Sequence, residues 1–482
     1  MDRLRKCWVR GIILLLPAWV LTTAAFGDAP PDSTIKSWVQ NAMTRDPHTD
    51  AAHTQVEVSR GIVTLSGTVG DLASKNYAEL DAKKIDGVRG VIDKLVVVPE
   101  FRWDTDIVLD VRERIVWDPA IETEAISVNC KDGVVILTGT VSSWSEKDEA
   151  GLLAEEVRGV KDVSNTLSVK WKVVRPDSAV QKDVMAALKR DVYLTDLPIQ
   201  VSVTDGYVTL TGTVGSEYER QRAADNAHRV DNVIGVNNNL NVEWWDREGA
   251  REQKPMPSDE ELRQTVTAEL TQDSRVNATE VAVEALVGHV TLTGTVPTFA
   301  QKAIAEADAR DVVGVAWVSN DLLVGPVRRS DSDIRDDVVR SIDMDGALWN
   351  QGIAVRVNNG IVTLSGTVNR GYDLLRATTV AGRIRGVKEV INSLTVNWDR
   401  EYRDGELMLK IADRIKTDFL LAPVKDNIKV TVDQGRVTLA GTVYNWGERR
   451  EADRITSETP GVRSIDNRLE VQGYKYAWSD LH

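Results

Sequence analysis

The sequence predicts an α+β protein of six tandem α-β-β-α-β modules, each a three-stranded mixed sheet packed by two helices. Three observations predict it. Gly-Thr-Val recurs six times, beginning at Gly67, Gly139, Gly212, Gly294, Gly366 and Gly441. A glycine stands six residues before each, and an alanine stands eleven after, at Ala78, Ala150, Ala223, Ala305, Ala377 and Ala452. Twenty residues after comes a further glycine in five copies and Asn232 in the third. Fixed internal offsets repeated along a chain of 482 residues mark an array of one small unit, not one large core.

The first helix of each module follows from an apolar stripe at i, i+4 and i+8, as in Ile35, Val39 and Met43 or Leu407, Ile411 and Ile415. Asp32, Asp104 and Asp177, with Ser258 and Ser330, stand where they can cap it. Two strands follow around Arg60-Gly61, Asp132-Gly133, Asp205-Gly206, Val287-Gly288, Asn359-Gly360 and Gln434-Gly435, sites for tight turns with both central residues at φ > 0. The returning strand alternates apolar residues with hydroxyls, as in Val63-Thr64-Leu65-Ser66. Its glycine is expected on the core face, packed closely by the small-residue face of the second helix, which carries the alanines. The late glycine ends that helix in the left-handed conformation, for which asparagine is the usual substitute. A third strand then pairs parallel to the second.

The copies are spaced 72, 73, 82, 72 and 75 residues apart. Modules are expected at 32–98, 104–173, 177–245, 258–325, 331–398 and 404–472, with a linker at 246–257 that accounts for the longest spacing. Trp171, Trp244 and Trp398 share one place after the third strand and are expected to pack at module junctions. Such small units have marginal cores, so contacts between neighbours should contribute to stability.

Residues 1–27 have the form of a secretory signal: Arg3, Arg5, Lys6 and Arg10, an apolar run from Gly11 to Leu21, then Ala25-Phe26-Gly27. Cleavage after Gly27 is expected, placing the rest in the periplasm or otherwise outside the cytoplasm, with no transmembrane span. Those residues carry +3 of a net charge of −14, so the remainder carries −17, a poor match for nucleic acid. Removal of Cys7 would leave Cys130 alone, at a position occupied elsewhere by Val or Ala.

The hairpin glycine, Val-x-Leu-x-Gly-x-Val, the alanine at plus eleven and the glycine at plus twenty together resemble the BON domain family, over residues 32 to about 472. The resemblance implies the α-β-β-α-β fold and a non-enzymatic protein of the bacterial envelope, tied to osmotic stress and to binding of phospholipid surfaces or envelope partners. A periplasmic chaperone or scaffold that holds proteins is the alternative. The residues themselves offer no catalytic constellation, cofactor motif or metal spacing; of five histidines only His48 and His53 lie close together.

Two groups of residues are candidates for binding. At the entrance to the second helix stand Trp144, Tyr218, Phe299 and Trp446, which could anchor at a membrane interface or pack against another module. In the fifth module, residues 368–389 carry Arg370, Arg376, Arg383, Arg385 and Lys388 against Asp373 and Glu389, the most basic such stretch of the six. Tyr372, Leu374 and Leu375 lie among these cations, as an anionic lipid surface would require; a basic helix face paired with an acidic neighbour is the alternative.

Overall fold

The computed structural model describes residues 30–45, 53–118, 121, 125–171, 173–195, 197–243, 257–273, 275–325, 329–369, 371–397 and 402–471, without the side chains of 45, 371 and 372. The signal segment, His48, Trp244, Trp398, Arg370, the Tyr372 side chain and nearly all of the 246–257 linker lie outside the described residues.

Each module holds the expected order. In the first, the helix Asp32–Arg45 is followed by the strands Thr54–Ser59 and Ile62–Val69, the helix Leu72–Lys84 and the strand Gly90–Val97. The middle strand pairs antiparallel with the first strand and parallel with the third. All six sheets repeat this pattern, although the third strand is interrupted in two of them, as Asp162–Asn165 with Ser168–Val169 and as Trp317–Asn320 with Leu323–Val324. The stripes Ile35, Val39, Met43 and Leu407, Ile411, Ile415 are buried against their sheets.

The hairpin turns have the expected geometry, with φ between 50° and 55° at the first central residue. Val287 adopts φ 53° there, where a β-branched side chain is strained by about 1–2 kcal/mol. Val287→Asn, matching Asn359 at the equivalent turn, is expected to raise the stability of the fourth module by about 1 kcal/mol, read as a later urea midpoint. Asn232 adopts φ 72°, as its replacement of the late glycine implies, and its Oδ1 accepts the Arg175 amide at 3.0 Å.

Two expectations are corrected. The aspartates at the start of the first helix act mainly as clamps on the hairpin. Asp104 accepts the amides of Asp132 and Gly133 at 2.8 and 2.9 Å, and Asp331 accepts those of Asn359 and Gly360 at 2.8 and 2.9 Å. Asp32, Asp177 and Asp404 do the same, and Asp259 accepts the Val287 amide. Ser258 and Ser330 do cap their helices.

The glycine of Gly-Thr-Val is the second correction. At Gly67, Gly139, Gly212, Gly294, Gly366 and Gly441, φ lies between 113° and 131°. A Cβ there would come within 1.9–2.1 Å of a carbonyl oxygen where the chain enters the first strand. The close approach is therefore backbone on backbone within the sheet. The six alanines of the second helix are fully buried, but the atoms nearest the glycine belong to that entering strand.

The modules do not form a string. Module 1 joins module 6 by a β-bridge between Ile85 and Asp418, module 2 joins module 5 through Val157 and Asp345, and module 3 joins module 4 through Asp191 and Val312. Backbone bonds flank each bridge, such as Phe419 N to Lys84 O at 2.8 Å, Arg158 N to Met344 O at 2.9 Å and Val313 N to Arg190 O at 3.1 Å. The pairing is nested, first with last. The 246–257 linker falls between the two modules at which the chain doubles back. Junction packing of chain neighbours is also present: Trp171 donates its indole N–H to Val233 O at 3.0 Å, tying module 2 to module 3.

Candidate functional site

Several of the residues singled out from the sequence lie between modules, and Arg376 and Arg383 lie on a seam of this nested arrangement. Each seam joins the end of one module's second helix to the end of its partner's first helix. Buried aspartates stand at those first-helix ends: Asp118, Asp191, Asp273, Asp345 and Asp418 are each at most 5% exposed.

The seam between modules 2 and 5 takes up two of the candidate arginines. Arg376 pairs with Glu156 and, at 2.6 Å, with Asp345. Arg383 reaches Glu156 at 2.8 Å and Glu149 at 3.0 Å. Arg114 of module 2 completes the cluster, bonding Glu156 at 2.9 Å, Asp345 at 3.2 Å and the Ser341 carbonyl at 2.9 Å. Three guanidiniums thus face three carboxylates with little water. Burial opposes ionisation of Glu156, but Arg376, Arg383 and Arg114 outweigh it and hold this carboxyl well below the usual range. Burial dominates at Glu149, helped by Asp118 and Glu156, and raises it to about 7 despite Arg383.

This placement corrects the expectation of a basic lipid-facing helix in module 5. Arg376 and Arg383 are only 10% and 17% exposed and are occupied by module 2. A desolvated guanidinium held by carboxylates cannot also meet a phosphate surface. Leu374 packs against its own core, whereas Leu375, Arg385 and Lys388 remain exposed.

The helix-entrance aromatics are likewise seated between modules. Trp144 stacks on His228 of module 3 with centroids 4.1 Å apart. Tyr218 meets Tyr193 edge-on at 5.9 Å, and Lys84 of module 1 lies 5.9 Å above its ring. Phe299 presses on Gly382 of module 5, where a Cβ would come within 2.6 Å of Cδ1. Trp446 is 6% exposed, edge-on to Trp317 of module 4 at 5.6 Å, with Arg310 over its ring at 4.8 Å.

Burial lowers His228 to about 4, so the ring stacked on Trp144 is neutral at pH 7. A base with a depressed folded pKa stabilises above its unfolded value and loses that contribution as pH falls. Between about pH 6.5 and 4 the native state should lose about 3 kcal/mol at this contact of modules 2 and 3. The check is Trp144 fluorescence, which should titrate near pH 4 in the wild type and show no such step in His228→Gln.

The other two pairs use different ions on the same plan. Between modules 1 and 6, Lys84 bonds Glu451 at 3.0 Å. Between modules 3 and 4, Arg190 bonds Glu269 at 2.7 Å and Arg222 bonds Asp311 at 3.0 Å. One sequence feature is compatible with the pairing. The residue seventeen after each Gly of Gly-Thr-Val runs Lys84, Glu156, Arg229, Asp311, Arg383, Glu458, alternating in sign. Nested pairs always match an odd module with an even one, so these residues have opposite charge within each pair.

Cys130 donates its thiol to Asp104 at 3.3 Å, and burial together with that carboxylate pushes it up to about 11, keeping it protonated. Among the described residues no group of His, Cys, Asp and Glu is placed to hold a metal ion, and no helix is long and apolar enough to cross a membrane.

The BON domain profile matches residues 31–99, 104–170, 176–243, 258–326, 330–397 and 407–473. The chain belongs to the BON domain family. It is similar to Osmotically-inducible protein Y of Escherichia coli, 31% identical over 195 residues, which is 39% of this chain and 97% of that protein. It is also similar to the Outer membrane lipoprotein DolP of Haemophilus influenzae, 29% identical over 138 residues, 27% of this chain and 71% of that one. The seams of a six-module BON chain reach well beyond the length of either match.

Proposed function

We propose that this BON protein is secreted, non-enzymatic, and docks on anionic phospholipid surfaces of the bacterial envelope under osmotic or envelope stress. The names of its relatives, one osmotically inducible and one an outer membrane lipoprotein, support the setting. The observation that carries the docking is an aromatic pair left outside every seam. Phe101 and Trp103 are 78% and 67% exposed and meet edge-on at 5.1 Å. Val96, in the strand Gly90–Val97, and Val98, just after it, are 58% and 60% exposed, and Lys94 of that strand is exposed too.

An exposed Trp-Phe pair beside valines costs hydration that a bilayer interface would relieve. Each ring can remove roughly 150 Å² of surface from water, about 4 kcal/mol at full burial. The body beyond the signal carries −17, so attraction of the whole protein to an anionic surface is not the driving force. Apolar insertion is, and binding should therefore depend weakly on salt. Co-sedimentation with phosphatidylglycerol vesicles tests this. Phe101→Ser with Trp103→Ser should weaken binding about tenfold or more, while Arg385→Glu with Lys388→Glu changes it little. Wild-type-like binding by the first variant, or its loss in the second, would reject the aromatic site. A fully retained ability to suppress aggregation of unfolded protein, without vesicle binding, would favour the chaperone reading.

A further inference from the structure

Modules 2, 4 and 5 enclose a cavity of about 220 Å³ at the meeting point of their second helices. Its walls mix apolar surface, from Phe299, Ala303 and Ile304, with two side chains of opposite charge, Arg275 and Glu149. It opens to solvent past Ala303 and Thr379, both exposed.

The two charges are incompletely used. Arg275 donates Nε and Nη2 to Asp273 and Nη2 to Asp308, and Glu149 Oε1 accepts Arg383. Among the described residues, Nη1 of Arg275 and Oε2 of Glu149 have no protein partner. Each side chain lies in the other's field, yet no ion pair joins them. The remaining charges on the cavity are committed: Arg383 to Glu149 and Glu156, and Glu146 to the Ser142 amide and hydroxyl at 2.9 and 2.6 Å. Asp118 also borders the cavity and adds to the negative field at Glu149.

We propose that this cavity binds a small zwitterion with an apolar body, its ammonium on Glu149, its carboxylate on Arg275 and its body against Phe299. A ligand with only one charge would satisfy one of the two available atoms and leave the other as it is. The volume sets the size. On the scale by which a cavity of about 150 Å³ holds benzene, this one takes about nine non-hydrogen atoms, the size of an apolar amino acid. This reading is independent of lipid docking, because the cavity and the Phe101–Trp103 pair share no residue.

The test is calorimetric titration of the full chain with L-leucine, beside 4-methylpentanoate, which lacks the ammonium, and 3-methylbutylamine, which lacks the carboxylate. Leucine should bind one saturable site with a Kd of about 1 mM or tighter, and each singly charged analogue about tenfold or more weakly. Glu149→Gln should weaken leucine about tenfold and leave 4-methylpentanoate unchanged, a pattern that mere loosening of the seam would not give. Ala303→Trp, at an exposed position of the mouth, should abolish binding without unfolding the chain. Absence of saturable leucine binding, equal binding of all three compounds, or wild-type affinity in both variants would overturn the proposal.

Discussion

Glu156→Gln is expected to cost about 3–5 kcal/mol, with modules 2 and 5 parting before either unfolds. The carboxylate is 11% exposed and is shared by Arg114, Arg376 and Arg383. An amide of the same shape cannot balance three guanidiniums held out of water, and each loses a charge-assisted bond. The pH dependence has a definite sign. Glu156 is held below its ordinary pKa, so its contribution is present above about pH 4.5 and is lost as pH falls further. Glu149, raised to about 7, acts oppositely: it favours the folded state at low pH and gives that up as pH rises from about 4.5 to 7. Urea unfolding with limited proteolysis would show a new early transition in Glu156→Gln. A single transition unchanged from wild type would mean that the cluster does not hold the seam.

Gly366→Ala is expected to cost about 3 kcal/mol or more and to disrupt the fifth module locally. The added Cβ would lie 1.9 Å from the Gly352 carbonyl oxygen, at φ 126°, a region that residues with a side chain rarely enter. Ala377→Leu, at a fully buried site on the second helix, should cost about 1–3 kcal/mol by overpacking. Since the atoms nearest Gly366 are backbone of the entering strand, the two costs should add within about 0.5 kcal/mol. Strong coupling in the double variant would restore the helix-on-glycine contact that the sequence suggested.

The module was legible from the sequence because its signals are local. The apolar stripe Ile35, Val39, Met43 reports a helix face, and Asn232 at φ 72° reports the same backbone as its glycine equivalents. What Gly366 is for was less legible, since a glycine marks a close approach without naming the neighbour. The candidate site is less legible for a related reason. Arg376 and Arg383 looked like a basic face because their shared partner Glu156 stands in module 2 and cannot be found by spacing within module 5. Glu156 lies 220 residues from Arg376 in the chain. The sign alternation from Lys84 to Glu458 fits pairing of odd with even modules, but it fits chain neighbours as well as nested pairs. The third-strand asparagines tie the sheet to the second helix. Asn238 and Asn392 donate to carbonyls of the second helix at 2.6 Å, a bond that Asp93 of module 1 cannot make, and there Lys75 approaches at 3.9 Å instead.

Nested pairing is the claim on which the seams, the cavity and the relocated docking surface all depend. Small-angle X-ray scattering of residues 28–482 tests it most directly. Six modules folded back on one another should give a radius of gyration of about 23–26 Å, near the value for one compact body of that length. Six modules strung in chain order would give more than about 40 Å, and that result would contradict the account.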